Sequence, residues 1–328
     1  MHVVILGAGA LGTLLGSRLW QGGRARVTLI GRGPHLEESR RAGIRMVEAD
    51  GAESTIAGPG LQWAASPDEV EPEVDHLIFA VKGTGFEAAL DAARRLPTVG
   101  CVLTLQNGVR FDESLQSVFG EERVAGAVTM EGAAMVSPGV IRHLLAATTY
   151  LGEFDGRPTA RLQLLAAALR AGSVSTEVVA DITAARWTKF VQSCAASGVC
   201  GVTRMGYAPA TATPAGAELY VRLVREGAAV MGSRGLRPGP YLGEAASVVE
   251  VAEQPFPEAV ALVRERARRM IEAGYTGGTS LLRDLESGIR SEAEYLMGDM
   301  VRIATAAGVD VPFTTAVWLA IAAADHPR

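Results

Sequence analysis

The sequence predicts an α/β domain followed by an all-α domain, on three observations. A glycine-rich turn at residues 7–12 lies between a short apolar run and an amphipathic helical pattern. Further apolar runs recur at βαβ spacing as far as residue 179. From Asp181 onward the periodicity is almost wholly helical. At roughly 100–200 residues per domain, 328 residues accommodate two, placed at 1–180 and 181–328.

The first strand is the VVIL run at residues 3–6, and Gly7-Ala8-Gly9-Ala10-Leu11-Gly12 follows it. A helix then runs through Leu14, Leu15 and Leu19. In a Rossmann-type dinucleotide-binding domain the first glycine permits the tight turn. The second lets backbone approach a pyrophosphate, and the third lets helix and strand pack closely. The phosphates then lie at the positive end of the helix dipole. The next strand, 27–30, ends in Gly31-Arg32. NAD-binding versions carry an acidic residue near this point for the ribose hydroxyls. An arginine suits the additional 2′-phosphate of NADP instead; the plainer alternative is a solvated loop arginine.

Residues 76–81 read as a buried parallel strand ending at Lys82, and 101–105 as another ending in Gln106-Asn107-Gly108. Ligands of open α/β sheets bind at the carboxyl ends of strands, although Asn-Gly is also an ordinary turn signal. Strands are expected near 125–130, 139–143 and 149–152, a helix over 160–171, and a closing strand over 174–179. In the second domain the pattern gives a helix from Asp181, and others near 216–231, 257–273, 281–287, 292–307 and 312–323.

Composition narrows the function class. Hydrophobic residues make up 48% and charged residues 20%, ordinary values for a soluble globular chain. A net charge of −5 argues against a nucleic-acid partner. No apolar run approaches the ~20 residues of a membrane span, and the N-terminus lacks a secretory pattern, so a cytoplasmic protein is expected. Cys101, Cys194 and Cys200 show no metal-ligand or redox spacing and read as small buried residues. No metal is expected.

The 31 basic residues include only two lysines, Lys82 and Lys189, and Asn107 is the sole asparagine. Arginine cannot replace lysine as a titrating proton donor, so the surviving lysines are candidates for positions where that property is needed; survival by chance is the alternative. Lys189 follows Trp187 and precedes Phe190 and Val191. Burial there would lower its pKa towards working pH; a lysine whose stem packs while its head stays wet is the alternative. A histidine-based dehydrogenase fits poorly. His2, His35 and His326 lie near the termini or on a surface helix, His76 is mid-strand, and His143 lacks an arginine partner motif.

Taken together, GAGALG at 7–12, Arg32, VK at 81–82, QNG at 106–108, RWTK at 186–189, TSLLRDLESG at 279–288 and SEAEYLMG at 291–298 resemble the ketopantoate reductase family over nearly the whole chain. The resemblance implies NADPH-dependent reduction of a 2-keto acid, ketopantoate to pantoate, between the domains. It implies that the 7–12 loop holds the pyrophosphate, Arg32 the 2′-phosphate, and that Lys82 lies near the cofactor. Asn107 lies by the nicotinamide ribose and substrate. Lys189 is the proton donor, Ser280 meets the substrate carboxylate, and Glu292 helps hold the ribose and substrate hydroxyl. Glu292 also fits a capping box and Ser280 a helix N-cap. A homodimer through the helical domain has family precedent.

The chain departs from the family at the substrate-facing positions. Ser193 and Ser197 stand where asparagines follow the lysine by four and eight residues, Gly277 where one precedes Ser280, and Met297 where one follows Glu292. A serine hydroxyl is shorter than an amide and cannot offer donor and acceptor side by side. A different keto acid, or a non-catalytic NADP-binding regulator, are the alternatives these changes raise.

Overall fold

The computed structural model describes residues 1–96, 98–243 and 247–325. The chain divides into two units. The first comprises Met1–Gln106 and Arg110–Thr183; the second comprises Asn107–Val109 and the chain from Ala184 onward.

In the first unit β1 (His2–Leu6) leads into α1 (Ala10–Gln21), followed by β2 (Arg26–Ile30), α2 (Gly33–Ala42), β3 (Ile44–Val47), β4 (Glu53–Ile56) and β5 (Leu61–Ala64). Then come β6 (Val74–Phe79), α3 (Phe86–Ala93), β7 (Val99–Thr104), α4 (Arg110–Phe119), β8 (Gly126–Thr129), β9 (Gly132–Ser137), β10 (Val140–Leu145), β11 (Thr149–Gly152), α5 (Ala160–Ala171) and β12 (Thr176–Val178). The main sheet is wholly parallel in the order β5-β2-β1-β6-β7, the Rossmann arrangement. All five residues of β1 are buried, which is why it reads as a continuous apolar run without alternation. Leu15 and Leu19 of α1 and Leu162, Leu165 and Leu169 of α5 close over Val3, Ile5 and Leu29. Each such side chain contributes roughly 1.5–3 kcal/mol on burial.

Helix α1 also turns Leu14 towards a second sheet, where Ile44, Met46, Ile56 and Ile141 enclose it. That sheet, β4-β3-β10-β9, was legible in the sequence only at β10. β4 buries only Ile56, and β9 has no buried residue, so neither shows the alternation that marks a half-buried strand.

The second unit is helical. Helix α6 (Ile182–Thr203) is followed by α7 (Tyr207–Ala212), α8 (Pro214–Ser233), α9 (Val248–Glu253), α10 (Phe256–Glu272), α11 (Ser280–Glu286), α12 (Met297–Ala307) and α13 (Pro312–Ala324). Six residues each, α7 and α9 are too short for helical periodicity to reveal them. The helix expected over 292–307 is interrupted. A 3-10 turn at Ala293–Tyr295 precedes Leu296, whose φ of −106° and ψ of −91° leave the helical region while its side chain enters the core.

Helix α13 has Val311 as its N-cap, which supplies no side-chain cap. Glu226 of α8 supplies the missing acceptor. Its carboxylate receives the amides of Phe313 and Thr314 at 2.8 and 2.7 Å, and the Thr314 hydroxyl at 2.7 Å. A carboxylate at a helix N-terminus pairs orphan amides and complements the dipole. Glu226→Ala should therefore lower unfolding free energy by about 1–3 kcal/mol, with Glu226→Gln costing less. Urea denaturation followed by circular dichroism measures both, and unchanged midpoints would exclude the capping role.

Candidate active site

Strands β1, β2 and β6 end in register, with Leu6 paired to Ile30 and to Phe79. The glycine loop, Arg32 and Lys82 therefore emerge at one edge of the sheet. The three loop glycines answer different constraints. Gly7 has φ +112°, and a Cβ there would come within 2.7 Å of Val81 and 2.8 Å of the Ala80 carbonyl carbon. A Cβ on Gly12 would lie 2.2 Å from the Gly7 carbonyl oxygen. These two are fixed by packing of strand, turn and helix. Gly9 is different, because a Cβ there would meet nothing within 4 Å.

Gly9 is the N-cap of α1, which has no side-chain cap and no acidic residue in its first turn. Open space beside uncapped amides at the positive end of a helix fits the pyrophosphate of a dinucleotide. Ala8, Ala10 and Leu11 complete the loop with short or apolar side chains that bring no competing charge. Arg32, the N-cap of α2, is exposed and forms no ion pair among the described residues. Lys82 is likewise exposed, at the start of the turn after β6.

The second unit gathers the other group around α6. Trp187, Phe190, Val191 and Cys194 bury one side of this helix in the core. Lys189 keeps some solvent contact over the whole residue. Enough protein surrounds its Nζ, however, that burial alone draws its pKa from 10.5 to about 8. Ser193 and Ser197 follow at one-turn steps along the same face, both buried.

The segment Asn107–Val109 belongs to this unit. Buried Arg186, one turn before Lys189, donates from Nη2 to the Gly108 carbonyl at 2.8 Å. Asn107 is thereby tied to the lysine helix rather than grouped with the strand that precedes it. Thr279, not Ser280, caps α11, accepting the Leu282 amide. Thr279 also hydrogen-bonds the Cys200 thiol, which burial nevertheless pushes up to about 11. Ser280 thus starts a helix packed against the turn of α6 after Ser197. Glu292 follows Ser291, whose hydroxyl donates to Asp325 at 2.7 Å, and its carbonyl accepts the amides of Tyr295 and Leu296. Met297 is fully buried in the core, and Gly277 lies exposed with its carbonyl accepting the Tyr207 amide.

Two residues here carried no role in the sequence reading. Arg186 stood inside a quoted motif and could have been noticed from its three-residue spacing to Lys189. Gln192, at the same spacing on the other side, accepts from Lys189 Nζ through Oε1 at 3.4 Å.

The described histidines all lie in the first unit, with His326 outside the described residues. His2 and His35 bond Thr28 and Thr13 respectively, and His76 contacts the Arg161 carbonyl. Burial lowers the pKa of all three. His143 has no arginine partner motif in the sequence, but the fold brings an arginine to it. Arg18 lies 3.3 Å from its Nδ1, with Glu48 at 3.2 Å and Glu131 2.6 Å from Nε2. Arg18 is 125 residues away in sequence, so no local motif announced it. The three cysteines are free and buried. No cluster able to hold a metal occurs among the described residues, and none of the described helices is long and apolar enough to cross a membrane.

Comparison with known proteins agrees on one family. Residues 3–156 match the model described as ketopantoate reductase PanE/ApbA, and residues 181–325 match its C-terminal counterpart. The chain is 30% identical to a 2-dehydropantoate 2-reductase of Halobacterium salinarum, covering 95% of each. A PanE/ApbA family ketopantoate reductase from Ralstonia eutropha superposes with TM-score 0.80 at 26% identity, over 99% of this chain and 98% of that one. A D-mandelate dehydrogenase solved with NADH and anilino(oxo)acetate shares the fold, with TM-score 0.83 at 21% identity over 99% and 98%.

The contrast between the glycines is testable. Gly9→Ala should cost under about 1 kcal/mol of stability yet weaken nicotinamide dinucleotide binding about tenfold or more. Gly12→Ala should cost at least about 1–3 kcal/mol through overpacking. Calorimetric titration and thermal unfolding of both variants check this, and equal destabilisation by the two would refute it.

Proposed function

The chain belongs to the ketopantoate reductase family, and we propose that it reduces a small 2-keto acid with NADPH, ketopantoate being the first candidate. The observation that carries this reading is Lys189. It is an enclosed ammonium with a pKa near 8, on a helix face that also carries two serine hydroxyls. A donor whose pKa lies near working pH is the kind of acid that efficient proton transfer requires.

When bound, NADPH supplies the hydride that adds to the ketone carbon. The residues of the chain provide the rest. The glycine loop takes the pyrophosphate and Arg32 the 2′-phosphate, with Lys82 beside the cofactor. Ser280 meets the substrate carboxylate, while Asn107 and Glu292 orient the reactants. Lys189 Nζ interacts with the ketone oxygen and stabilises its developing negative charge. Its proton passes to that oxygen, giving the hydroxyl, and the neutral amine recovers a proton from water.

Ser193 and Ser197 favour a second substrate within the same chemistry, a keto acid whose recognition does not require two long amides on α6. Losing one hydrogen-bond partner for a substrate hydroxyl costs about 1–3 kcal/mol. A panel of 2-keto acids assayed by NADPH oxidation separates the two readings.

Three outcomes follow from these roles. Lys189→Ala should reduce kcat about 10²–10⁴-fold while NADPH still binds, and near-normal turnover would remove the lysine from the chemistry. The donor acts when protonated, so kcat for reduction should hold steady at lower pH and fall as pH rises through about 8. A profile flat to pH 10 would contradict this. Arg32→Ala should raise the KM for NADPH about tenfold or more and leave NADH little changed; equal effects on both would exclude a 2′-phosphate contact.

A further inference from the structure

The side chain that meets the Lys189 ammonium on its own helix is an amide. Lys189 Nζ donates to Gln192 Oε1 at 3.4 Å. Because an ammonium can only donate, the oxygen end of the carboxamide must face it. Gln192 is 8% exposed, so its side chain is held by packing rather than sampling solvent.

We propose that Gln192 is the positioning residue of Lys189, its Oε1 fixing the ammonium on the α6 face that carries Ser193 and Ser197. This rests on the reading of Lys189 as proton donor. An i,i+3 pair on one helix needs no other element to bring it together. Lys189 has four side-chain torsions, so an acceptor that selects one rotamer shortens the search for the substrate oxygen. The same contact stabilises the charged form against burial.

Burial is what lowers the Lys189 pKa. Several acidic groups on helices sharing its core have described partners of their own. Glu226 caps α13, Arg302 binds Glu294 and Asp299, and Asp299 also faces the Cys194 thiol. On α6 itself, Arg186 is bonded to the Gly108 carbonyl.

The chain contains only two lysines, which makes the test direct. Protein labelled with ¹³C at lysine Cε gives two resonances, and Lys189→Arg identifies the one that disappears. Titrating the intact apo protein should show a Lys189 midpoint near 8. Gln192→Leu, which keeps the volume and removes the acceptor, should lower that midpoint by about one unit. Gln192→Glu should raise it. With NADPH and ketopantoate, the basic limb of kcat should move in the same directions, and kcat for Gln192→Leu should fall about tenfold with the KM for NADPH unchanged. Midpoints and limbs that stay at the wild-type value in both variants would overturn the proposal, because a purely structural glutamine would alter stability without moving either. If Lys189→Ala retains turnover, the donor reading fails and this inference with it. If Lys189→Ala abolishes turnover while the glutamine variants titrate like wild type, only the inference fails.

Discussion

The constraint on which the second unit turns is the desolvation of one ammonium. Trp187, Phe190, Val191 and Cys194 place α6 deep in the helical core, and Lys189 must share that helix. Water no longer stabilises its charge fully, so the amine gives up a proton more readily than a surface lysine would. The helix that makes the core stable is thus the helix that tunes the acid. Arg186 then ties the Asn107–Val109 segment to the turn before the lysine, and α11 packs against a turn beyond the serines. The proposed substrate contacts become a matter of spacing along a single rigid rod.

The first unit solves a different problem, bringing two layers close without side chains between them. The turn after β1 sits so near β6 that any Cβ on Gly7 would collide with Ala80 and Val81, and α1 begins so near the turn that Gly12 has no room either. Gly9 stands apart, since nothing in the protein forbids a side chain there. The fingerprint combines two glycines that the fold demands with one that it does not, and only the geometry separates them.

Much of this was legible in the sequence, where residue type and pattern spoke together. β1, α1, β2 and α5 follow from apolar periodicity, and Lys82, Lys189 and Asn107 stood out because their types are almost gone from the chain. What stayed hidden had weak local signals. β4 and β9 expose most of their residues, α7 and α9 are about one and a half turns long, and the break at Leu296 lies inside an unbroken helical pattern. The partners of His143 could not be read because Arg18, Glu48 and Glu131 converge from separate elements. Gln192 was overlooked for the opposite reason. It lies three residues from Lys189, but a glutamine on a helix carries no mark of function until its oxygen is seen to face the amine.

The near-absence of lysine has a physical logic once the ion pairs are in view. Arg18 pairs with Glu48, Arg161 with Glu153, Arg266 with Glu250, and Arg302 with both Glu294 and Asp299. In each pair the cation's task is to stay charged and keep a fixed geometry, which a guanidinium does better than an ammonium. A proton donor needs the reverse, a charge that can be surrendered and regained near neutral pH. Arginine cannot do this, because its pKa lies above ~12. In a chain that has turned nearly every structural cation into arginine, a lysine inside a helical core is a candidate for a place where the proton itself is used. Enclosure then sets the pKa at which Lys189 yields it, and the neighbouring glutamine oxygen gives the charged form a fixed place to sit.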